Sequence, residues 1–159
     1  MAGRAPRHAV SGGERPRDRL GRPLPWDATG FPGVVQRESV SATDAVAESG
    51  HYLDEGLPFH AHEVLEMRWR CCPPEERSLW RGLAQAAAGA THEARGNPIG
   101  ADRLRTRGLA SIAEYAGPLD DATRQLIAAL TTAPASGHLS EDSLGVSFRQ
   151  PTTRGEEQG

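Results

Sequence analysis

The sequence contains no lysine, only two cysteines and few aromatic residues. All 18 basic residues of the 159-residue chain are arginines, which indicates a bias of composition towards arginine and alanine rather than a mechanism. The two cysteines, Cys71 and Cys72, are adjacent and provide no disulfide framework of the kind that holds small secreted domains together. Because a bridge between neighbouring cysteines is strained, we expect two reduced thiols at a helix end.

Long apolar runs are also absent. No stretch is long enough for the core of a signal peptide or for a membrane-spanning helix. We therefore expect a soluble, cytoplasmic protein with no membrane partner.

Large apolar side chains are scarce, since Leu, Ile, Val and Phe together account for only 27 residues. Such a low share can signal disorder. Here the net charge is only −3, alanine is abundant and the apolar positions are periodic. This pattern predicts one closely packed helical domain with long tails.

Charge and composition divide the chain into three segments. Residues 1–37 carry 7 Arg against 3 acids, residues 38–131 carry 9 against 14, and residues 132–159 carry 2 against 4. The first segment, rich in Arg, Pro and Gly, predicts a flexible N-terminal arm, although Trp26 and Phe31 could dock part of it on the domain. The last segment predicts a flexible tail. Because the helical segment is acidic, nucleic-acid binding is disfavoured and is left as a lesser alternative for the arm.

Five helices are predicted between these tails. Capping and stop signals place them at about 42–55, 58–72, 75–95, 98–115 and 119–130, with Ser41 and Asn97 as N-caps and Pro58 at a first helical position. The predicted fold class is all-α, a compact antiparallel bundle of four to five helices with disordered N- and C-terminal tails. The second and third helices are expected to be central.

The second helix carries an unusual face. In the stretch FHAHEVLEMRW, the helical period places Phe59, His62, Leu65, Glu66 and Trp69 together. A buried imidazole or carboxylate without partners is costly, so His62 and Glu66 either belong to an internal hydrogen-bonded network or line a pocket. Both side chains are expected to point inward towards the third helix.

The third helix carries the facing half of this candidate site. Between Arg81 and Glu93 no side chain is formally charged, which indicates a helix enclosed on several sides. Gly82 and Gly89 would allow a neighbouring helix to approach closely. One stripe of the helix contains Arg81, Gln85 and His92, and Arg81 could pair with Glu66 or Glu63.

Three interpretations of the cluster remain open. His62, Glu66, Gln85 and His92 could form a structural network shielded by Trp69. The cluster could instead bind a small polar ligand, for which the candidate residues are His62, Glu66, Trp69, Arg81, Gln85 and His92. The third interpretation is a divalent metal held by His62, Glu66 and His92, because His and Glu four residues apart leave the same helical face.

The sequence does not predict a defined enzymatic activity. The segment His62-Glu63-Val64-Leu65-Glu66 lacks the second histidine of the zinc-protease pattern, and no activated nucleophile stands out. A metal-dependent hydrolase is therefore an option rather than the expected class.

The same residues resemble a bacterial and archaeal family of unknown function, the domain-of-unknown-function family 309. The likeness covers about residues 41–116, and the arm motif PRDRLGRPLP is similar to the leader of one branch. The matching motif residues are Phe59, Ala61, His62, Glu63, Leu65, Glu66 and Trp69, then Gly82, Leu83 and Gln85 with Ala87 one place late, then His92, Gly96, Asn97, Gly100 and Ala101.

The resemblance implies an all-helical bundle, and it carries no established activity and no catalytic residues. Arg105 departs from the aliphatic residue more usual in the family, which suggests a thinner contact of the fourth helix. Two functions follow as hypotheses. The first is a small ligand- or metal-binding domain. The second is a scaffold whose polar cluster is purely structural and whose outer surface binds a protein partner, a second copy included.

Overall fold

The protein is an all-α bundle in the computed structural model, which describes residues 13–132. Within that range there is no strand, only an isolated bridge between Arg17 and Pro23. The predicted fold class is confirmed. The outer parts of the two predicted tails, residues 1–12 and 133–159, lie outside the described range. The helices are α1 (Ala42–Asp54), α2 (Pro58–Cys71), α3 (Arg77–Ala94), α4 (Pro98–Ala113) and α5 (Asp121–Thr131), with a 3-10 turn at Pro74–Glu76 before α3.

Local capping chemistry sets the helix ends. The Ser41 side chain accepts a hydrogen bond from the backbone N–H of Asp44, and Asn97 accepts one from Gly100. Asp120 caps α5 through the N–H of Thr123. These side chains satisfy N–H groups that have no partner within the helix, so short polar signals in the sequence place each helix start.

Helix α3 is the central element, because it contacts α2, α4 and α5. Its crossing with α4 depends on glycine: a Cβ on Gly82 would stand 2.6 Å from the carbonyl oxygen of Gly108, and a Cβ on Gly89 would stand 3.0 Å from that of Ala101. The predicted close approach at Gly82 and Gly89 is confirmed. Leu79, Trp80 and Leu83 of α3 lie in the hydrophobic core.

The buried face of α2 is not the predicted one. The buried residues include His60, Ala61, Val64 and Leu65, whereas the side chains of His62 and Glu66 remain 26% and 30% exposed. The inward stripe follows the helical spacing from Leu57, and the predicted face lies along its edge. His62 and Glu66 therefore border the core rather than lie in its middle.

Part of the N-terminal arm lies against the helices. The Arg95 guanidinium donates two hydrogen bonds, of 2.9 and 2.6 Å, to the carbonyl oxygen of Leu20. Gly21 has a φ of 76° and lies so close to Phe59 that a Cβ there would be 2.4 Å from the ring. These contacts agree with docking of part of the arm, although Trp26 is 67% exposed. The boundaries at residues 37 and 131 stay predictions.

The cysteines are free thiols. Burial raises the pKa of the Cys72 thiol, which disfavours its thiolate form. No helix in residues 13–132 has the length and apolar character needed to cross a membrane.

Candidate functional site

His62 connects α2 to α3. Its Nδ1 lies 2.9 Å from the carbonyl oxygen of Ala84, and its Nε2 lies 3.3 Å from Oε2 of Glu66 one helical turn away. A carbonyl oxygen only accepts hydrogen bonds, so Nδ1 carries a proton and donates it to Ala84. Nε2 can then hydrogen-bond to Glu66 only when a second proton lies between them. The predicted direction of His62, towards the third helix, is what the structure has.

Glu66 is held from two sides. One carboxylate oxygen faces His62 and the other pairs with Arg70, which is largely exposed. The predicted pairing of Arg81 with Glu66 or Glu63 is wrong. Arg81 instead donates from Nε to the Ser111 hydroxyl over 3.1 Å and comes within 4.0 Å of Glu114. The reason is that Arg81 faces α4, where Ser111 offers an acceptor.

Gln85 presents the most conspicuous polar atom of the site. Its Oε1 is buried and has no hydrogen-bond partner within residues 13–132. A buried amide oxygen without a partner costs about 1–3 kcal/mol, and most such groups in folded proteins are satisfied. Gln85 Oε1 is therefore an acceptor that the described part of the chain leaves unused.

These side chains border one open cavity, which we call the central groove. It has a volume of about 280 Å³. Polar groups lie on both walls, and an indole and aliphatic carbons supply the apolar surface. The groove is lined by His62, Glu66, Trp69, Arg81, Ala84, Gln85, Ala88 and Leu104.

A second opening lies beside the central groove. It has a volume of about 440 Å³ and shares Trp69 and Arg81 with the groove. Trp69 and Arg81 thus stand at the junction of two hollows.

Five of the six predicted ligand-binding residues line the central groove, and His92 does not. His92 lies two turns further along α3, where its Nδ1 is 3.0 Å from the side-chain nitrogen of Asn97. The four-residue network of His62, Glu66, Gln85 and His92 is therefore not formed. His92 is separated from the groove because the stripe of α3 that carries Arg81, Gln85 and His92 extends beyond the groove to the end of the helix.

The metal set predicted at His62, Glu66 and His92 is not assembled for the same reason. Within the part of the chain that the structure describes, no group of three or more His, Cys, Asp or Glu side chains is placed to hold a metal ion. His62 and Glu66 remain as two neighbouring groups on one helix.

Sequence reasoning missed His60, which is only 3% exposed. Its Nε2 lies 2.7 Å from the carbonyl oxygen of Pro32, and its ring packs edge-on against Phe31 at 5.4 Å. The signal was present in the spacing of Leu57, His60, Ala61, Val64 and Leu65, which gives a regular apolar stripe. The FHAHEVLEMRW motif drew attention to the neighbouring face instead.

Comparison with known proteins finds a family match within the helical part of this chain. Residues 47–104 match the model of a family described as "Domain of unknown function (DUF309)". The chain is 36% identical over 66 residues to the "Uncharacterized protein YpuF" of Bacillus subtilis (strain 168), an alignment that covers 36% of this chain and 38% of that relative. The chain thus spans well under half the length of this relative. No solved structure gives a significant match.

The matched segment runs from α1 into α4 and contains every residue that lines the central groove. The resemblance predicted from the motifs is confirmed, and residues 47–104 carry the features of domain-of-unknown-function family 309.

Proposed function

We propose that this protein binds a small organic acid in the central groove, and that the ligand carries a hydroxyl group beside its carboxylate. The observation that carries this proposal is the buried Oε1 of Gln85, which lacks a hydrogen-bond partner among the described residues. A hydroxyl group of the ligand would donate to it.

Charge supports the choice of an acid. The Arg81 guanidinium lies at the mouth of the groove, and its nearest carboxylate is 4.0 Å away on the exposed Glu114. An arginine with a loosely held partner can take up a ligand carboxylate through paired N–H donors. Glu66 by contrast pairs with Arg70, so it does not compete for that position.

The apolar surface limits the size and shape of the ligand. Trp69 and Leu104 can cover a short hydrocarbon body, and the volume of about 280 Å³ suits a compact molecule. The arrangement of mostly apolar walls with a few converging polar groups is typical of small-molecule sites. His62, with one ring nitrogen fixed by Ala84, is the group that could exchange a proton with such a ligand.

A resident metal is the less well supported form of the site. Two protein ligands on one helix leave the position short of the three or four that zinc sites use. A bound acid needs only the groups already present.

Binding is tested by thermal unfolding with matched pairs of acids. Lactate and mandelate carry the hydroxyl group, whereas propionate and phenylacetate lack it. We expect a hydroxy acid to raise the melting temperature more than its partner does. That preference should disappear in Gln85→Leu, and Arg81→Met should weaken binding of both acids. His92→Ala is the control and should bind as the wild type does.

A scaffold function remains the second candidate, because Glu66 already pairs with Arg70 and because Ile99 and Leu109 are exposed on α4. If the cluster is purely structural, no acid shifts the melting temperature. Apolar replacement of the pair, His62→Leu with Glu66→Leu, would then leave the protein equally or more stable.

A further inference from the structure

A second cavity lies between α2 and the docked part of the arm. It has a volume of about 240 Å³. We call it the arm cavity and define it by the residues that carry the argument, which are Glu14, Arg17, Phe31, Phe59, His60 and Glu63. None of these residues lines the central groove.

His60 gives this cavity a buried acceptor. The Pro32 carbonyl oxygen can only accept, so Nε2 of His60 carries the proton in their 2.7 Å contact. The other ring nitrogen, Nδ1, is then a lone-pair acceptor in the neutral ring. It is buried and has no hydrogen-bond partner within residues 13–132. Since the whole residue is only 3% exposed, bulk water does not replace the missing donor.

Arg17 brings an unpartnered donor from the arm side. Its Nη1 donates to the carbonyl oxygen of Gly21 over 2.9 Å, and its guanidinium carbon lies 5.7 Å from the centre of the Phe59 ring. Its Nε is buried and has no partner in the described part of the chain. Glu14 approaches this nitrogen only to 3.8 Å, beyond hydrogen-bond distance.

Glu63 adds a carboxyl group to the same wall as His60. Burial raises the pKa of Glu63 and the nearby Glu14 carboxylate raises it further, whereas His60, His62 and Arg17 oppose this shift without cancelling it. Burial and the Glu14 carboxylate both penalise the ionised form, and a cationic group inside the cavity would relieve both effects. No hydrogen bond from Glu63 to residues 13–132 satisfies that carboxyl group.

We propose that the arm cavity binds a small zwitterion of the amino-acid class. Its ammonium group would donate to His60 Nδ1 and to the Glu63 carboxylate, and its carboxylate would accept from Arg17 Nε. The two unpartnered atoms, one acceptor and one donor, lie on the two walls and match the two ends of such a molecule. The rings of Phe31 and Phe59 provide apolar surface for a side chain.

The full-length protein is screened by saturation-transfer NMR with each standard L-amino acid at millimolar concentration. We expect at least one to bind. Its matched amine, which lacks the carboxylate, and its matched acid, which lacks the ammonium group, should each bind about tenfold more weakly or worse, because each loses a charge-assisted hydrogen bond. If no amino acid binds, or if the amine or the acid binds as well as the zwitterion, the proposal is overturned.

Variants locate the site. Glu63→Gln and Arg17→Met should each weaken binding, with circular dichroism confirming that the helices are retained. His60→Phe is a further variant. Because His60 is buried, Glu63→Gln is the decisive variant if His60→Phe does not fold. Gln85→Leu, which changes only the central groove, is the control and should bind the amino acid normally. Loss of binding in Gln85→Leu with retention in Glu63→Gln and Arg17→Met would assign the amino acid to the central groove and overturn the proposal.

Discussion

Two glutamates, Glu63 in α2 and Glu76 in the turn before α3, have opposite electrostatic environments. Glu63 is penalised by burial, whereas Glu76 accepts hydrogen bonds of 2.7 Å from both the Trp80 indole and the Arg68 guanidinium. These bonds lower the pKa of Glu76, the bond from Trp80 most of all, and burial opposes them. The same residue type thus stabilises the fold at one position and strains it at the other.

Glu76→Gln should destabilise the protein at neutral pH by about 1–3 kcal/mol, because a charged acceptor shared by two donors is lost. The folded-state pKa of Glu76 is lowered, so its contribution is present above the unfolded pKa and is lost as the pH falls through the folded pKa. The difference in the free energy of unfolding between variant and wild type should therefore become smaller at acidic pH. Urea unfolding at neutral and acidic pH measures it, and Glu75→Gln, which changes an exposed neighbour, is the control. An equal difference at both pH values would contradict this account.

Glu63→Gln should change the stability at neutral pH in the opposite direction. The folded-state pKa of Glu63 is raised, so its protonated form stabilises the fold below the unfolded pKa, and this contribution is lost as the pH rises through the folded pKa. At neutral pH the amide should increase the free energy of unfolding, by no more than about 1 kcal/mol because the carboxyl group is partly screened by solvent. The gain should vanish in acid. A variant that is less stable than the wild type at neutral pH would show that the carboxylate is needed.

The helix boundaries could be predicted closely because their causes are local. The side chains of Ser41, Asn97 and Asp120 accept hydrogen bonds from N–H groups three residues later, and Pro58 begins α2 as expected. The rotation of α2 could not be predicted as well. His62 and Glu66 share a face with several large apolar residues, and only the positions of α1, α3 and the arm show that the stripe through His60 is the buried one.

The candidate site was likewise predicted only in part. Helical spacing brought His62, Glu66, Gln85 and Arg81 to one groove, because short turns make α2 and α3 neighbours. It did not separate His92 from them, since residues on one stripe can still lie two turns apart along the helix axis. The pairing of Arg81 with Ser111 depends on α4, which no spacing within α3 reveals.

Replacement of glycine by alanine should have opposite effects on stability at Gly82, in the crossing of α3 and α4, and at Gly50, outside it. Gly82→Ala should destabilise the protein by about 1–3 kcal/mol, because the new Cβ would stand 2.6 Å from the Gly108 carbonyl oxygen and the helices would have to separate. Gly50→Ala in α1 meets no atom within 4 Å and should stabilise the helix by about 0.5–1 kcal/mol. Chemical denaturation of both variants measures the difference. Equal effects would indicate that the crossing is loose.

For the molecule as a whole, several polar contacts join the arm to the bundle. They include the Arg95 bonds to Leu20, the contact of His60 with the Pro32 carbonyl oxygen and the ion pair of Arg37 with Glu48. Arg95→Ala should release this part of the arm while the helices persist. The amides of Leu24 and Phe31 donate hydrogen bonds within the arm. We expect their hydrogen exchange to become about tenfold faster in Arg95→Ala, because the variant loses one to two hydrogen bonds that hold the arm in place. Arg103→Ala on the exposed face of α4 is the control. Unchanged exchange would show that the arm holds its place without Arg95.

The arrangement of the bundle places two cavities beside α2, one facing α3 and one facing the arm. Each contains a buried polar atom that the described chain leaves without a partner. The central groove lies wholly within the segment that matches the family model, whereas the arm cavity also uses residues that precede it. Binding in the central groove is therefore the property we expect relatives with the same motif residues to share.

The most direct measurement is an NMR titration of the full-length protein with lactate and mandelate, following the side-chain amide signals of Gln85. Our account predicts that a hydroxy acid shifts these signals together with the indole N–H of Trp69, and that the matched acid without the hydroxyl group shifts Gln85 much less. Signals of His92 should stay unchanged. If neither acid moves the Gln85 amide, or if the hydroxyl group makes no difference, the central groove does not bind this class of ligand.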